Sequence, residues 1–240
     1  MKPRIEELDW RETAIGELNL RRRHDPLLDV DVYEVKLGDE YLMSSLFPVA
    51  EIELAHLGLA TQAGDALDVV VGGLGLGYTA HAALTDDRVR RLTVVEMLAP
   101  VIDWHRRDLF PDTEGLAADP RIRFTEGDFF ALAADDRGFD GEGGRVDAIL
   151  LDIDHSPRHV LNPPNGDFYT VDGLRRMSRH LHPEGVFALW SNDPPDDGFL
   201  DLLRAVFTEA RAEVVTFPNP FQNKDSSNTV YIATSPRRAD

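Results

Sequence analysis

Between Leu67 and Trp190 the chain alternates short apolar runs with longer segments of mixed polarity, and this alternation restricts the possible fold more than any other feature. Each apolar run has the length of a buried strand, and each intervening segment is long enough for a helix. Such an alternation is typical of repeated βαβ units that build a mostly parallel sheet. The strand candidates are residues 67–71, 92–96, 122–125, 148–152 and 186–190, and the helix candidates are residues 77–85, 98–109, 128–134, 170–181 and 197–210.

The two ends of the chain carry strand patterns of a different kind. Residues 212–217 and 229–233 are apolar runs joined by a polar loop, so we expect the sheet to finish with an antiparallel hairpin. Ahead of the repeats, residues 16–20, 30–37 and 40–44 have strand character, with a turn at Gly38-Asp39. We therefore predict a small β-meander over residues 1–47 and one α/β domain over residues 48–240.

A linking helix is predicted where the meander ends. Val49, Ile52, Leu54 and Leu57 come after Pro48 at helix-like spacing. This stripe of apolar side chains predicts an amphipathic helix that links the meander to the α/β repeats.

Composition narrows the classes of partner. Asp and Glu number 43 against 25 Lys and Arg, and the resulting net charge of -18 would repel nucleic-acid phosphates and anionic lipids. A cationic or neutral small molecule fits this charge better, although the acidity also serves solubility. The chain has no cysteine, which excludes disulfides and thiolate metal centres, and we expect no metal site. No apolar run approaches the roughly 18 residues that cross a bilayer, so we expect a cytoplasmic protein.

A glycine-rich turn comes after the first strand of the repeats. Gly73, Gly75 and Gly77 form a G-x-G-x-G pattern directly after Leu67–Val71. Glycine lets the backbone turn tightly and lets a ligand approach where a Cβ would collide. The next helix would offer free N–H groups to the polar atoms of that ligand. A tight turn without a ligand would also select glycine.

Acidic residues end the next two strands. Glu96 stands nineteen residues after Gly77, where a carboxylate can accept both hydroxyls of a ribose. Asp128 comes after the third strand, where it can accept from an adenine amino group while Phe129 stacks nearby. Asp128 could instead cap the next helix. Three strand ends thus predict one site for a nucleoside.

The spacing of the glycines separates two classes of nucleotide fold. The fingerprint of NAD-binding Rossmann domains is G-x-G-x-x-G, but position 78 is Tyr78. The acidic residue after the third strand and the late hairpin favour the class I methyltransferase fold instead. We therefore predict a Rossmann-like domain with a seven-stranded, mostly parallel sheet that binds an S-adenosylmethionine-type nucleoside.

Several sequence blocks resemble the spermidine synthase family, the polyamine aminopropyltransferases, and do so over most of the chain. The blocks lie in the family's order and comprise residues 72–77, 94–97, 119–124 with 127–128, 147–154, 168–170 and 181–186. The resemblance implies transfer of an aminopropyl group from decarboxylated S-adenosylmethionine to a small amine such as putrescine. Members of the family usually carry an aspartate in the glycine loop, where this chain has Gly75 and Leu76.

The resemblance also points to the catalytic residues. The family's block after the fourth strand is similar to Asp-Ser-Ser-Asp-Pro, and this chain reads Asp152-Ile-Asp154-His155-Ser-Pro. Aligned on Asp152, the family's catalytic aspartate becomes His155, and a small shift brings Asp154 there. A carboxylate or an imidazole at this place could receive the proton that the amine loses.

Further contacts and other functions remain open at this stage. Asp152, Tyr169 and Asp193 are candidates to contact the acceptor, and the chain could form a homodimer. A small-molecule methyltransferase that uses intact S-adenosylmethionine is the alternative enzyme. A nucleoside-binding homologue without catalytic activity is the alternative without chemistry.

Overall fold

Two β-sheets organise the chain in the computed structural model, which describes residues 5–153 and 155–237. The first sheet is an antiparallel meander of four strands in chain order. Its strands are β1 (Ile5–Thr13), β2 (Gly16–Asp25), β3 (Val30–Leu37) and β4 (Glu40–Ser44).

The second sheet has seven strands in the order β10-β11-β9-β8-β5-β6-β7. The five strands from β9 to β7 are parallel to one another, and β11 runs antiparallel between β9 and β10. This confirms the predicted α/β fold with its late hairpin. The strands are β5 (Leu67–Gly72), β6 (Val89–Glu96), β7 (Ile122–Glu126), β8 (Val146–Leu151), β9 (Leu181–Ser191), β10 (Phe207–Asn219) and β11 (Lys224–Pro236).

Helices cover both faces of this sheet. Side chains alternate along each buried strand, so Val69 and Val71 of β5 enter one hydrophobic cluster and Val70 enters the other. The first cluster takes in α1, α2, α3 and the inner side of the meander, and the second takes in α4, α5 and α6. The helices are α1 (Val49–Leu59), α2 (Tyr78–Leu84), α3 (Ala99–Arg106), α4 (Phe129–Ala134), α5 (Val171–Ser178) and α6 (Asp197–Val206).

The meander is joined to the main sheet by apolar and polar contacts. Leu18, Leu20 and Val35 are fully buried in the first cluster beside the helices. The indole Nε1 of Trp104 on α3 donates a hydrogen bond to Oδ2 of Asp9 at 2.7 Å. The meander therefore shares a core with the helices of one face.

Two elements differ from the sequence predictions. Strand β1 was not predicted, because its charged residues leave little apolar signal, but it pairs with β2 over most of its length. The predicted helix over residues 197–210 ends at Val206, and β10 begins at Phe207. The segment after Val206 is locally compatible with a helix, yet its pairing with β11 overrides that preference.

None of the helices among the described residues is long and apolar enough to span a bilayer. Within the same residues no group of three or more His, Cys, Asp or Glu side chains is arranged to hold a metal ion.

Candidate functional site

The segments that carry the glycine bend, Glu96, Asp128 and Asp152 lie at one edge of the seven-stranded sheet. Strands β8, β5, β6 and β7 are neighbours and run parallel, so their carboxyl ends lie side by side. The Asp152 amide donates to the Gly72 carbonyl at 2.8 Å, and the Gly127 amide donates to the Glu96 carbonyl at 3.0 Å. The topology therefore brings together the three segments that the sequence singled out.

The glycine bend is tightly built against its surroundings. Gly73 has φ +90°, and a Cβ there would lie 2.1 Å from the carbonyl oxygen of Asp152. Gly77 has φ +88°, and a Cβ there would meet Cε1 of His105 at 2.6 Å. Both glycines are thus required by the bend itself, whether or not a ligand approaches.

The histidine beneath the bend was not anticipated. His105 on α3 is buried, and burial lowers its pKa to about 4. The neutral ring places Nε2 2.9 Å from the carbonyl oxygen of Gly75, which can only accept, so Nε2 carries the proton. His105 fixes the conformation of the bend from below.

Glu96 lies directly against the glycine bend. Its Oε2 accepts from the Leu74 amide at 3.0 Å, and its Oε1 accepts from the Leu98 amide at 2.8 Å. Burial raises the pKa of Glu96, and these amide hydrogen bonds oppose that rise. Each carboxylate oxygen can accept a second hydrogen bond, so contact with a ribose stays compatible with this arrangement.

The segment after β7 carries Asp128 and Phe129, and its structure corrects the predicted stacking role of Phe129. Asp128 is exposed and its Oδ1 caps α4 by accepting from the Phe130 amide at 2.9 Å, so the capping alternative is realised. Phe129 is 1% exposed and stacks on Phe139, and its ring has no open face for an adenine. A Cβ at Gly72 would lie 2.5 Å from this ring, so Phe129 supports the bend instead. An adenine contact by Asp128 stays a prediction.

A pair of carboxyl groups lies beside the bend. Asp152 comes directly after β8, and Oγ1 of Thr79 on α2 lies 2.8 Å from its Oδ2 and 3.1 Å from the carbonyl oxygen of Glu51 on α1. Burial raises the pKa of both acids, and the charge of Asp152 raises that of Glu51 further. Two partly buried carboxyls that repel each other disfavour a double negative charge, so ionisation of one opposes ionisation of the other.

Glu51 opens onto a cavity of about 530 Å³ under the C-terminal hairpin. Among the described residues, Glu51 Oε2 and Trp190 Nε1 are buried atoms without a hydrogen-bond partner. Both residues line this cavity, one offering an acceptor and the other a donor. The rest of the lining mixes aromatic and polar side chains, namely Phe47, Asn192, Phe217, Asn219, Gln222, Lys224, Asp225, Ser226, Ser227 and Asn228.

The remaining acceptor candidates lie in other surroundings. His155 is exposed, and its carbonyl accepts from the Asn192 amide at 2.8 Å, while Asp154 lies outside the described residues. Tyr169 is 8% exposed and lies among the aromatic rings of the second cluster. It does not line the Glu51 cavity, and its contact with the acceptor stays a prediction.

Asp193 also lies apart from the Glu51 cavity. Its Oδ2 lies 2.9 Å from Nδ1 of His159, and it lines a separate cavity with Ser156. Hydrogen bonds from Ser156 and His159 lower its pKa. Ser156 Oγ also lies 3.1 Å from the same Nδ1, so within the described residues both side-chain contacts of this imidazole use one ring nitrogen.

Known proteins resemble this chain in sequence and in fold. A polyamine aminopropyltransferase of Nitrosomonas europaea is 29% identical over 73% of the chain, and polyamine aminopropyltransferase 2 of Pseudomonas aeruginosa is 26% identical over 63%. The matches take in 53% and 43% of those relatives, so the chain spans about half the length of the curated relatives it matches. No family model matches.

Solved structures of spermidine synthases resemble this chain in fold, at lower sequence identity. The spermidine synthase of Thermotoga maritima superposes with a TM-score of 0.70 at 18% identity and covers 95% of this chain and 72% of its own. A spermidine synthase in complex with the transition-state analogue AdoDATO superposes with a TM-score of 0.71 at 19% identity, and the match covers 95% of this chain and 73% of that structure. These likenesses establish the fold. The predicted resemblance is thereby confirmed: the chain is similar in sequence to polyamine aminopropyltransferases and has the fold of the spermidine synthases.

Proposed function

We propose that this protein is a spermidine-synthase-like transferase that moves an aminopropyl group from decarboxylated S-adenosylmethionine to a small amine such as putrescine. The observation that carries the proposal is the pair of partly buried carboxyls of Asp152, beside the glycine bend, and Glu51, which lines the cavity. The names of the curated relatives supply the class of reaction.

The carboxyl pair is suited to a cation. Without one, the two acids keep a proton because burial and mutual repulsion penalise a double negative charge. An ammonium group brings positive charge and three N–H donors, and Glu51 Oε2 lacks a partner among the described residues. Binding of the amine would therefore release the retained proton, which gives the site a preference for cationic acceptors.

The chemistry needs a neutral amine at the moment of attack. The nitrogen lone pair forms a bond to the aminopropyl carbon while the bond from that carbon to the sulfonium sulfur breaks, and methylthioadenosine leaves. Before the attack, the ammonium group of the acceptor loses a proton to a carboxylate and becomes the neutral amine, and Asp152 is the candidate for this carboxylate beside the bend. Asp154 and His155, which come next in the chain, stay candidates for the same role. Glu51 would hold the amine in line.

The donor would lie along the neighbouring strand ends. The glycine bend with Gly73, Gly75 and Gly77 would face the nucleoside, and Glu96 would accept from the ribose hydroxyls with its remaining lone pairs. Asp128 is the candidate for the adenine amino group. No metal enters this scheme.

A second candidate is suggested by the sequence of the bend. Gly75 and Leu76 stand where the family usually carries an aspartate, and Leu76 is buried in the core. A bend without a carboxylate has less reason to prefer a donor that ends in an amine alone. A small-molecule methyltransferase that uses intact S-adenosylmethionine is therefore the alternative.

The relative affinity for the decarboxylated and the intact donor distinguishes the aminopropyltransferase from the methyltransferase. The protein is titrated calorimetrically with each donor and then incubated with putrescine, and the products are analysed by mass spectrometry. We expect tighter binding of the decarboxylated donor and formation of methylthioadenosine with spermidine. Formation of S-adenosylhomocysteine with a methylated product would replace the proposal by the methyltransferase.

A matched variant distinguishes the transferase from a nucleoside-binding protein without catalytic activity. Asp152→Asn should abolish turnover while nucleoside binding persists. If the unsubstituted protein binds the nucleoside but converts no donor with any small amine tested, the transferase proposal is refuted.

A further inference from the structure

A groove of about 760 Å³ lies away from the strand ends that form the candidate site. It is formed by the end of α5, the start of β9, the end of α6 and the end of β11, with the loop before β8 at its rim. Five arginines and one aspartate are its charged lining residues: Arg145, Arg175, Arg176, Arg179, Arg237 and Asp172. The groove thus concentrates positive charge in a chain whose net charge is -18.

Three of these guanidinium groups are held in place by backbone carbonyl groups. The Nε of Arg145 donates to the Arg179 carbonyl at 3.3 Å, and the Nε of Arg237 donates to the Phe207 carbonyl at 2.9 Å. Arg179 donates in the same way to the Arg176 carbonyl at 3.3 Å. Bonding through Nε orients each guanidinium and leaves the terminal nitrogens of Arg145 and Arg237 without a bond to the described residues.

The carboxylates beside the groove neutralise part of its charge. Asp172 lies 3.6 Å from Arg175, and Asp136 lies 2.9 Å from Arg179. Arg145, Arg176 and Arg237 have no ion pair with an acid among residues 5–153 and 155–237. Part of the cluster is explained by the carboxyl end of α5, which favours nearby cations, but Arg145 and Arg237 come from other elements.

We propose that this groove binds a small polyphosphate anion, that is, a di- or triphosphate group. The planar guanidinium forks match phosphate oxygens, and several forks from three segments of the chain suit a group with several charges. The volume lies in the range of small-molecule sites. The acidic remainder of the protein opposes the anion only weakly, because charges beyond about 8 Å are screened at physiological ionic strength.

Binding of inorganic triphosphate to the full-length protein tests the proposal. Isothermal titration calorimetry at low salt should show one site per chain, with an affinity that falls as salt is raised. Arg145→Gln combined with Arg237→Gln should weaken binding at least about tenfold, because the lost charge-assisted hydrogen bonds exceed about 1.4 kcal/mol in total. A nucleoside triphosphate titrated in parallel shows whether a base adds affinity to the phosphate contacts.

Two matched variants keep the result interpretable. Arg106 and Arg123 are exposed arginines outside the groove, and replacing both by Gln removes the same charge. Arg145→Lys retains the charge and removes the fork, and we expect weaker binding from it as well.

Equal affinity of the groove variant and the charge-matched control would overturn the proposal, as would the absence of binding at millimolar triphosphate. A salt-sensitive dimer that the groove variant abolishes, without triphosphate binding, would overturn it in favour of a protein interface. Binding of the nucleoside donor at the strand ends is expected to be unaffected by these variants, so the test is independent of the proposed transferase activity.

Discussion

Thr79 places its hydroxyl 2.8 Å from Oδ2 of Asp152, and among the described residues this is the one side-chain hydrogen bond that lowers the pKa of that acid. The hydroxyl comes from α2, whose first residue stands directly after the glycine bend. Thr79 therefore links the helix that follows the bend to the protonation state of Asp152.

Replacing Thr79 by Val should raise the pKa of Asp152 further, because the ionised carboxylate loses a donor while its burial is unchanged. We expect a loss of about 1–3 kcal/mol in the free energy of unfolding at neutral pH, measured in urea. The pH at which amine binding reaches half its maximum should move upward, since binding requires the ionised pair. Thr79→Ser keeps the hydroxyl and serves as control, so identical behaviour of the Val and Ser variants would contradict this role.

Glu51→Gln should change how stability depends on pH. The folded protein holds a proton that an unfolded glutamate releases above pH 4–5, as its folded pKa is raised. Stability therefore falls as pH rises from about 4.5 towards that raised pKa, and it stays low above it. Glutamine cannot titrate, so the variant should be more stable than the parent by about 1–3 kcal/mol at pH 8 and its pH profile should be flatter.

Glu53→Gln supplies the control for this measurement. Glu53 lies on the same helix, its side chain is 37% exposed, and it contacts His56 at 3.1 Å. Its substitution should leave the pH profile of unfolding nearly unchanged. Equal profiles for the two variants would mean that Glu51 is not buried against a second acid.

The position of Glu51 at the site was not predicted from the sequence. Of the predicted apolar stripe of α1, Leu54 is buried, Ile52 and Leu57 are partly buried against the first cluster, and Val49 is exposed. The other fully buried positions of the helix are Ala50, Ala55, Gly58 and Leu59. A Cβ at Gly58 would lie 2.7 Å from Leu150, so small residues allow the close approach. Hydrophobic periodicity does not detect these small residues, and it gives no sign that Glu51 lies against Thr79 and the cavity.

The convergence of Gly73, Glu96 and Asp152 could be predicted for a different reason. In a parallel sheet the carboxyl ends of neighbouring strands share one edge, so residues placed just after successive strands meet there regardless of side-chain detail. Strand topology is encoded by local patterns of apolar runs. The burial of Phe129 depends on the packing of α4 against β5. No local sequence pattern distinguishes a ring that packs in the core against the bend from a ring that is open to a ligand.

Glu96→Gln should weaken nucleoside binding and also loosen the glycine bend. The carboxylate accepts amide hydrogen bonds on both oxygens, from Leu74 and from Leu98, and a glutamine would oppose one of these donors with its own NH₂ group. We expect a loss of about 1–3 kcal/mol in unfolding free energy and at least a tenfold loss in nucleoside affinity by calorimetry.

Glu126→Gln is the matched control for Glu96. Glu126 pairs with Glu96 across β6 and β7 but is exposed. Its substitution should change neither quantity appreciably. If Glu96→Gln lowers stability yet leaves nucleoside affinity intact, Glu96 supports the bend and does not contact the ribose.

Gly73→Ala should be strongly destabilising for two separable reasons. The residue has φ +90°, which costs an alanine about 1 kcal/mol, and the new Cβ would stand 2.1 Å from the Asp152 carbonyl oxygen. Gly115 has φ +77° with no atom within 4 Å of its Cβ position, so Gly115→Ala measures the backbone cost alone. We expect about 1 kcal/mol for Gly115→Ala and about 2–4 kcal/mol for Gly73→Ala in urea unfolding, because relieving the collision must displace Asp152. Equal losses would show that the bend is not in close contact with the strand end of β8, and the carboxyl pair would then be independent of it.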